Sequence, residues 1–79
     1  MARHIRKRFP DKKQSIDLLM SKDPDFVALC EDYDVCVNAL RYWSKPKEPE
    51  AEIRVTEYRT IAQQIEDKVI ERLIAAKPQ

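Results

Sequence analysis

The chain has 79 residues, no glycine and a formal net charge of +1. That length folds into one small domain at most, with little margin of stability. Missing glycine argues against phosphate-cradling loops and tight β-turns, while 37% charged and 43% apolar residues suit helices carrying one apolar stripe each and are too apolar for a wholly disordered chain.

Residues 1–13, MARHIRKRFPDKK, hold six Lys or Arg against one Asp, a local charge of +5, and the rest of the chain carries −4. Close-set like charges repel, and Pro10 and Asp11 punctuate the stretch, so the composition predicts a flexible, disordered basic arm. Its Arg3, Arg6, Lys7, Arg8, Lys12 and Lys13 could neutralise phosphates of nucleic acid or anionic lipid. Binding of that kind is expected to be weak, indifferent to sequence and lost with salt, since no aromatic platform or recognition motif accompanies the arm and the body is acidic.

A helical domain is expected over 14–76. Its first piece, 14–21, QSIDLLMS, places Ile16, Leu19 and Met20 on one face at i, i+3, i+4. Two turns are not stable alone, so this short leading helix must dock.

The second helix is expected at 24–43. Asp23 is a good N-cap, and Pro24 fits the first helical position, where its missing N–H is harmless. Pro24 also disfavours helical geometry just before it, so the chain bends there. Asp25 and Arg41 complement the helix dipole at opposite ends. Phe26, Leu29, Tyr33, Cys36, Leu40 and Trp43 follow steps of 3, 4, 3, 4, 3, a narrow coiled-coil-like seam. Cys30 and Val37 widen it on one side.

The stretch SKPKEP, residues 44–49, is a short stiff connector, and Pro49 can open the next helix. Residues 50–76 read as one long helix stopped by Pro78. Val55, Tyr58, Ala62, Ile65 and Val69 repeat the 3, 4 spacing, thickened by Ile61, Leu73 and Ala76. The short connector makes the two long helices antiparallel neighbours. Placing Trp43 opposite Glu50 then sets Leu40 near Ile53, Cys36 near Tyr58, Tyr33 near Ile61, Leu29 near Ile65 and Phe26 near Val69. The surplus end of the last helix, with Ile70, Leu73 and Ile74, offers the short helix its docking site.

The order of these features resembles the YdcH-like family of small bacterial helical-hairpin proteins. The likeness covers about residues 15–74, and its sharpest part is DPDFVALCEDY, a helix cap followed by Phe, Leu and an aromatic. The resemblance implies an antiparallel two-helix hairpin and transfers no catalytic residue, since no activity is established for that family. The chain departs from the family pattern at Ile65-Glu66-Asp67, where the family tends to carry Leu-Lys-Asp. The basic stretch before Gln14 and the two cysteines are also outside it.

No residue set identifies a reaction. His4 is the only histidine and lies in the basic stretch. Cys30 and Cys36 sit about 120° apart around a helix, so they neither share a metal ion nor close a disulfide within it, and they read as small apolar seam residues. Glu31, Asp32 and Asp34 read as a solvated face near a helix N-terminus. No enzyme, cofactor, metal site or small-molecule substrate is expected. No apolar run is long enough to span a membrane, and no apolar region follows the basic start as a secretory signal requires. A cytoplasmic setting with reduced thiols is therefore expected.

The fold class expected is all-α: an antiparallel, coiled-coil-like two-helix hairpin with a short leading helix and a disordered basic arm. Two helices on one seam cannot surround their apolar residues, and Cys30, Val35, Val37, Tyr42 and Ile74 fall beside or behind it. The expected role is an interaction or scaffold module acting as a homo-oligomer or holding a partner protein helix, with the seam residues Phe26, Leu29, Tyr33, Cys36, Leu40, Trp43, Tyr58, Ile61, Ile65, Val69 and Leu73 as its interaction set. The alternative is an accessory nucleic-acid-binding protein acting through the basic arm.

Overall fold

A computed structural model describes residues 2–45 and 47–76. Met1 of the expected arm, Pro46 of the expected connector and the expected stop at Pro78 lie outside the described residues. Helices α1 (Arg3–Arg8), α2 (Lys13–Lys22), α3 (Pro24–Trp43) and α4 (Pro49–Ala75) follow in order, with a 3-10 turn, Pro10–Lys12, between the first two. Among the described residues there is no strand, and the chain is all-α.

α3 starts where its cap dictates. Asp23 Oδ1 accepts from the backbone N–H groups of Asp25 at 3.0 Å and Phe26 at 3.2 Å, and Pro24 takes the first helical position. The other carboxylate oxygen, Oδ2, accepts from Arg72 Nη1 at 2.7 Å. One side chain thus caps α3 and holds the C-terminal end of α4.

α3 and α4 lie antiparallel. Asp23 meets Arg72 at one end, Tyr33 meets Glu66 midway, and the Arg54 guanidinium lies 6.0 Å from the Trp43 ring centre at the other end. The polar partners sit four to five residues further along α4 than the expected facing pairs: the Tyr33 hydroxyl reaches Glu66, five beyond Ile61, and the Arg54 guanidinium, four beyond Glu50, lies over Trp43, which also lines a shallow pocket with Ala51. Helical side chains lean toward their own N-terminus. In an antiparallel pair, a lean of about 3 Å on each helix moves the facing partner by roughly four residues. Ile53, expected near Leu40, is 61% exposed.

The basic segment is not a loose arm. Arg3–Arg8 form α1, which packs against α3, and Ile5 is fully buried. Ala2, Ile5 and Phe9 carry the 3, 4 spacing on which one face of a helix is built. Six residues are too few to hold a helix by propensity, so docking decides. Burying the Ile5 side chain contributes roughly 1.5–3 kcal/mol, and two of the six cations find carboxylates, Arg6 with Asp17 and Arg8 with Glu66. Charge repulsion is thereby relieved at Arg6 and Arg8.

The core gathers where all four helices meet: Ile5 from α1, Ile16 and Leu19 from α2, Phe26, Cys30, Tyr33 and Cys36 from α3, and Ala62, Ile65, Val69 and Leu73 from α4. The short helix α2 packs on α3 as well as on α4, and of the three residues expected to receive it only Leu73 is buried, Ile70 and Ile74 being 38% and 67% exposed. The remaining length of α3 and α4 extends beyond this cluster as a two-helix rod, giving principal extents of 49 × 21 × 18 Å.

Candidate interaction surfaces

Most of the expected seam is internal. Phe26, Tyr33, Cys36, Ile65, Val69 and Leu73 are buried, while Leu29, Leu40, Trp43 and Tyr58 are half-buried. Ile61 is the exception at 43% exposed. Its neighbour Ala62 is buried instead, because one residue is 100° of helix and only Ala62 keeps phase with Tyr58, Ile65 and Val69. Cys30, expected beside the seam, is fully buried. α1 lies on that flank of α3, where the His4 backbone N–H donates to Asp34 Oδ1 at 3.4 Å.

Glu66 is the polar centre of the packing. Its Oε2 accepts from the Tyr33 hydroxyl at 2.6 Å and its Oε1 from Arg8 Nε at 3.3 Å, so α1, α3 and α4 converge on one carboxylate. Burial, with the Glu66 carboxylate next to it, pushes the Tyr33 phenol up to about 12. Burial also pushes the Cys30 thiol up to about 11, aided by the nearby Asp34 charge, and raises Cys36. Both cysteines are free and buried. They stand as protonated thiols at neutral pH, a poor state for nucleophilic attack.

Arg3, Lys7, Lys12 and Lys13 are exposed and make no ion pair among the described residues. Arg3, His4 and Lys7 line a shallow cleft of about 250 Å³ with Asp34, Asn38 and Arg41 of α3. The structure therefore splits the expected basic set. Arg6 and Arg8 serve the fold, Arg3 and Lys7 face Arg41 across a cleft that the sequence reading did not foresee, and Lys12 and Lys13 lie elsewhere.

Lys12 and Lys13 rim a larger groove of about 890 Å³ at the base of the molecule, where Phe9 and Pro10 stand opposite Ile70, Leu73 and Ile74. Ile70 is 38% and Ile74 67% exposed. On α3, Val35 and Tyr42 are exposed, and Tyr42 stacks edge-on against Trp43 with ring centres 5.2 Å apart. Among the described residues no three His, Cys, Asp or Glu side chains converge as metal ligands, and no helix is long and apolar enough to cross a membrane. Comparison with protein-family models, curated proteins and solved structures yields no match to this chain.

Proposed function

We propose that this chain is a small helical interaction module that self-associates, with α3 and α4 serving as a coiled-coil-like hairpin scaffold. The observation that carries the reading is the apolar surface left after packing. α1 covers the Cys30 flank, α2 covers the base, and yet Val35, Tyr42, Ile53, Ile61, Ile70 and Ile74 still stand between 38% and 67% exposed. A chain of this size gains little from its own core, so a second copy is the occupant that adds burial without a new sequence. The order of cap, seam and long final helix supports placing it with the YdcH-like proteins, and two reduced, buried thiols suit a cytoplasmic setting. Sedimentation over a concentration series tests the reading. A dimer or larger species should form by high micromolar concentration, and a compact monomer throughout that range would refute it.

A second reading, phosphate binding, is favoured by the cleft between α1 and α3. Arg3, Lys7 and Arg41 converge there, and docking of α1 holds two of them in place, which a flexible arm would not. An accessory nucleic-acid role through these groups predicts binding that falls steeply with salt, whereas apolar self-association has a salt slope near zero. Retardation of an oligonucleotide at low salt, unchanged by replacing Arg3, Lys7 and Arg41 with Gln, would rule this reading out.

A further inference from the structure

Resting on the self-association reading, we propose that α4 carries a second seam, facing away from α3, through which two copies of this chain pair side by side and antiparallel. Residues Ile53, Thr56, Thr60, Gln63, Asp67, Ile70 and Ile74 follow steps of 3, 4, 3, 4, 3, 4, and all seven are exposed. That spacing keeps them on one stripe for about 30 Å of helix, the pattern by which two helices pair. The buried residues Ala62, Ile65, Val69 and Leu73 belong to a different stripe of the same helix, the one turned toward α3. α4 is thus built with two seams, one filled and one open.

The open stripe has apolar ends and a polar middle, and that middle already has partners. Thr56 Oγ1 donates to the Glu52 carbonyl at 3.0 Å, Thr60 Oγ1 donates to the Thr56 carbonyl at 3.1 Å, and Gln63 Nε2 donates to Asp67 Oδ1 at 3.1 Å. Closing a second helix over the threonines strands no hydroxyl donor, which removes the main penalty for burying them.

Charge sets the direction. A parallel pair would place Asp67 against its own copy and bring the two Lys12–Lys13 rims together. An antiparallel pair, with its two-fold axis near residues 63–64, separates the two Asp67 carboxylates by about 10 Å along the axis. It also sets Ile53 opposite Ile74 twice over. Ile53 sits between Glu52 and Glu57 in a shallow patch near the N-terminal end of α4. The groove that receives it holds Ile70 and Ile74 and is lined by Lys12 and Lys13 against the one carboxylate of Asp11, a net positive charge. An acidic, apolar knob thus meets a basic, apolar groove, and two-fold symmetry makes the contact at both ends.

Sedimentation of the full chain, alongside Ile53→Glu/Ile74→Glu, tests the assignment. Both isoleucines are well exposed, so helicity by circular dichroism should be kept while dimer affinity falls by about a hundredfold or more. A wild-type chain that stays monomeric overturns self-association itself. A dimer indifferent to this double variant, or one lost instead in Val35→Glu/Tyr42→Glu, leaves self-association standing and overturns this seam. Orientation is read by oxidising a mixture of I53C and I74C chains, the native thiols being buried. Mixed cross-links should dominate, and preferential I53C–I53C cross-links would overturn the antiparallel order.

Discussion

The Tyr33 hydroxyl donates to Glu66 at 2.6 Å, and the same carboxylate accepts from Arg8. This relationship ties α3 to α4 and brings α1 onto both. Tyr33→Phe should lower stability by about 0.5–1.5 kcal/mol, the net worth of one hydrogen bond. Glu66→Leu should lower it by about 1–3 kcal/mol, because it leaves a buried hydroxyl without an acceptor. A double-mutant cycle in urea unfolding should give a coupling of the order of 1 kcal/mol; a coupling of zero would show that the bond does not hold the helices.

Stability should fall in alkali, in a defined window. The Cys30 thiol rises from 9.0 to about 11 on folding and the Tyr33 phenol from 10.0 to about 12. Raised values mean that the folded chain holds these protons more tightly than the unfolded one. Their contribution is complete below about pH 9 and is lost as pH climbs through 9 to 12. Unfolding midpoints measured from pH 8 to 12 should decline, and Tyr33→Phe should flatten the upper part of the decline. A midpoint constant to pH 12 would contradict the burial of both groups.

Asp23 should matter in acid. Partial burial opposes its charge, but the Phe26 N–H, the Arg72 guanidinium and the Asp25 N–H outweigh it and hold the carboxyl below its ordinary 3.8. Its contribution is therefore full above pH 3.8 and disappears as pH drops through the lower folded value. Asp23→Asn keeps a capping oxygen and loses the Arg72 ion pair, whereas Asp23→Ala loses both. The urea midpoint at pH 7 should fall in the order wild type, Asn, Ala. Equal midpoints for all three would remove the double role assigned to this carboxylate.

Docking of α1 should control access to Cys30. Ile5 and Cys30 are both fully buried in the same cluster. Ile5→Ala should cost about 2–5 kcal/mol of local stability, enough to loosen so short a helix. Amide exchange should accelerate through residues 3–8, and Cys30 should react with a thiol reagent faster than in the wild type. Unchanged labelling of Cys30 would show that α1 does not shield it.

Much of this fold was legible. The Asp23-Pro24 start, the 3, 4 seam of α3 and the proline-bounded connector each rest on local chemistry, and α3 begins and ends where expected. α1 was obscured because its apolar triplet, Ala2, Ile5 and Phe9, is scattered among six cations. Charge density suggested repulsion, and only the three-dimensional position of Asp17 and Glu66 shows it relieved. The 3, 4 repeat of α4 already held Ala62, which is buried, whereas Ile61, expected to thicken the seam, sits about 100° further round the helix and is 43% exposed. Glu66 was read only as one more charged residue of α4, and its role at the junction of three helices appears only where Tyr33 and Arg8 both donate to it. The outward stripe of α4 was readable in principle, but its centre is polar, and a search for apolar periodicity passes over threonine and glutamine.

Repeated 3, 4 spacing has a weakness: two such helices can slip by one heptad, about 10 Å, and still match apolar to apolar. The short connector between α3 and α4 limits the slip, and the carboxylates of Asp23 and Glu66 oppose it further. Each grips a partner on another helix at a separate point along the rod, and a displaced pairing would unmake both grips at once. The greasy contacts supply cohesion, whereas these two side chains choose among alignments of similar cohesion, so their removal should yield a sliding ensemble before it yields an unfolded chain.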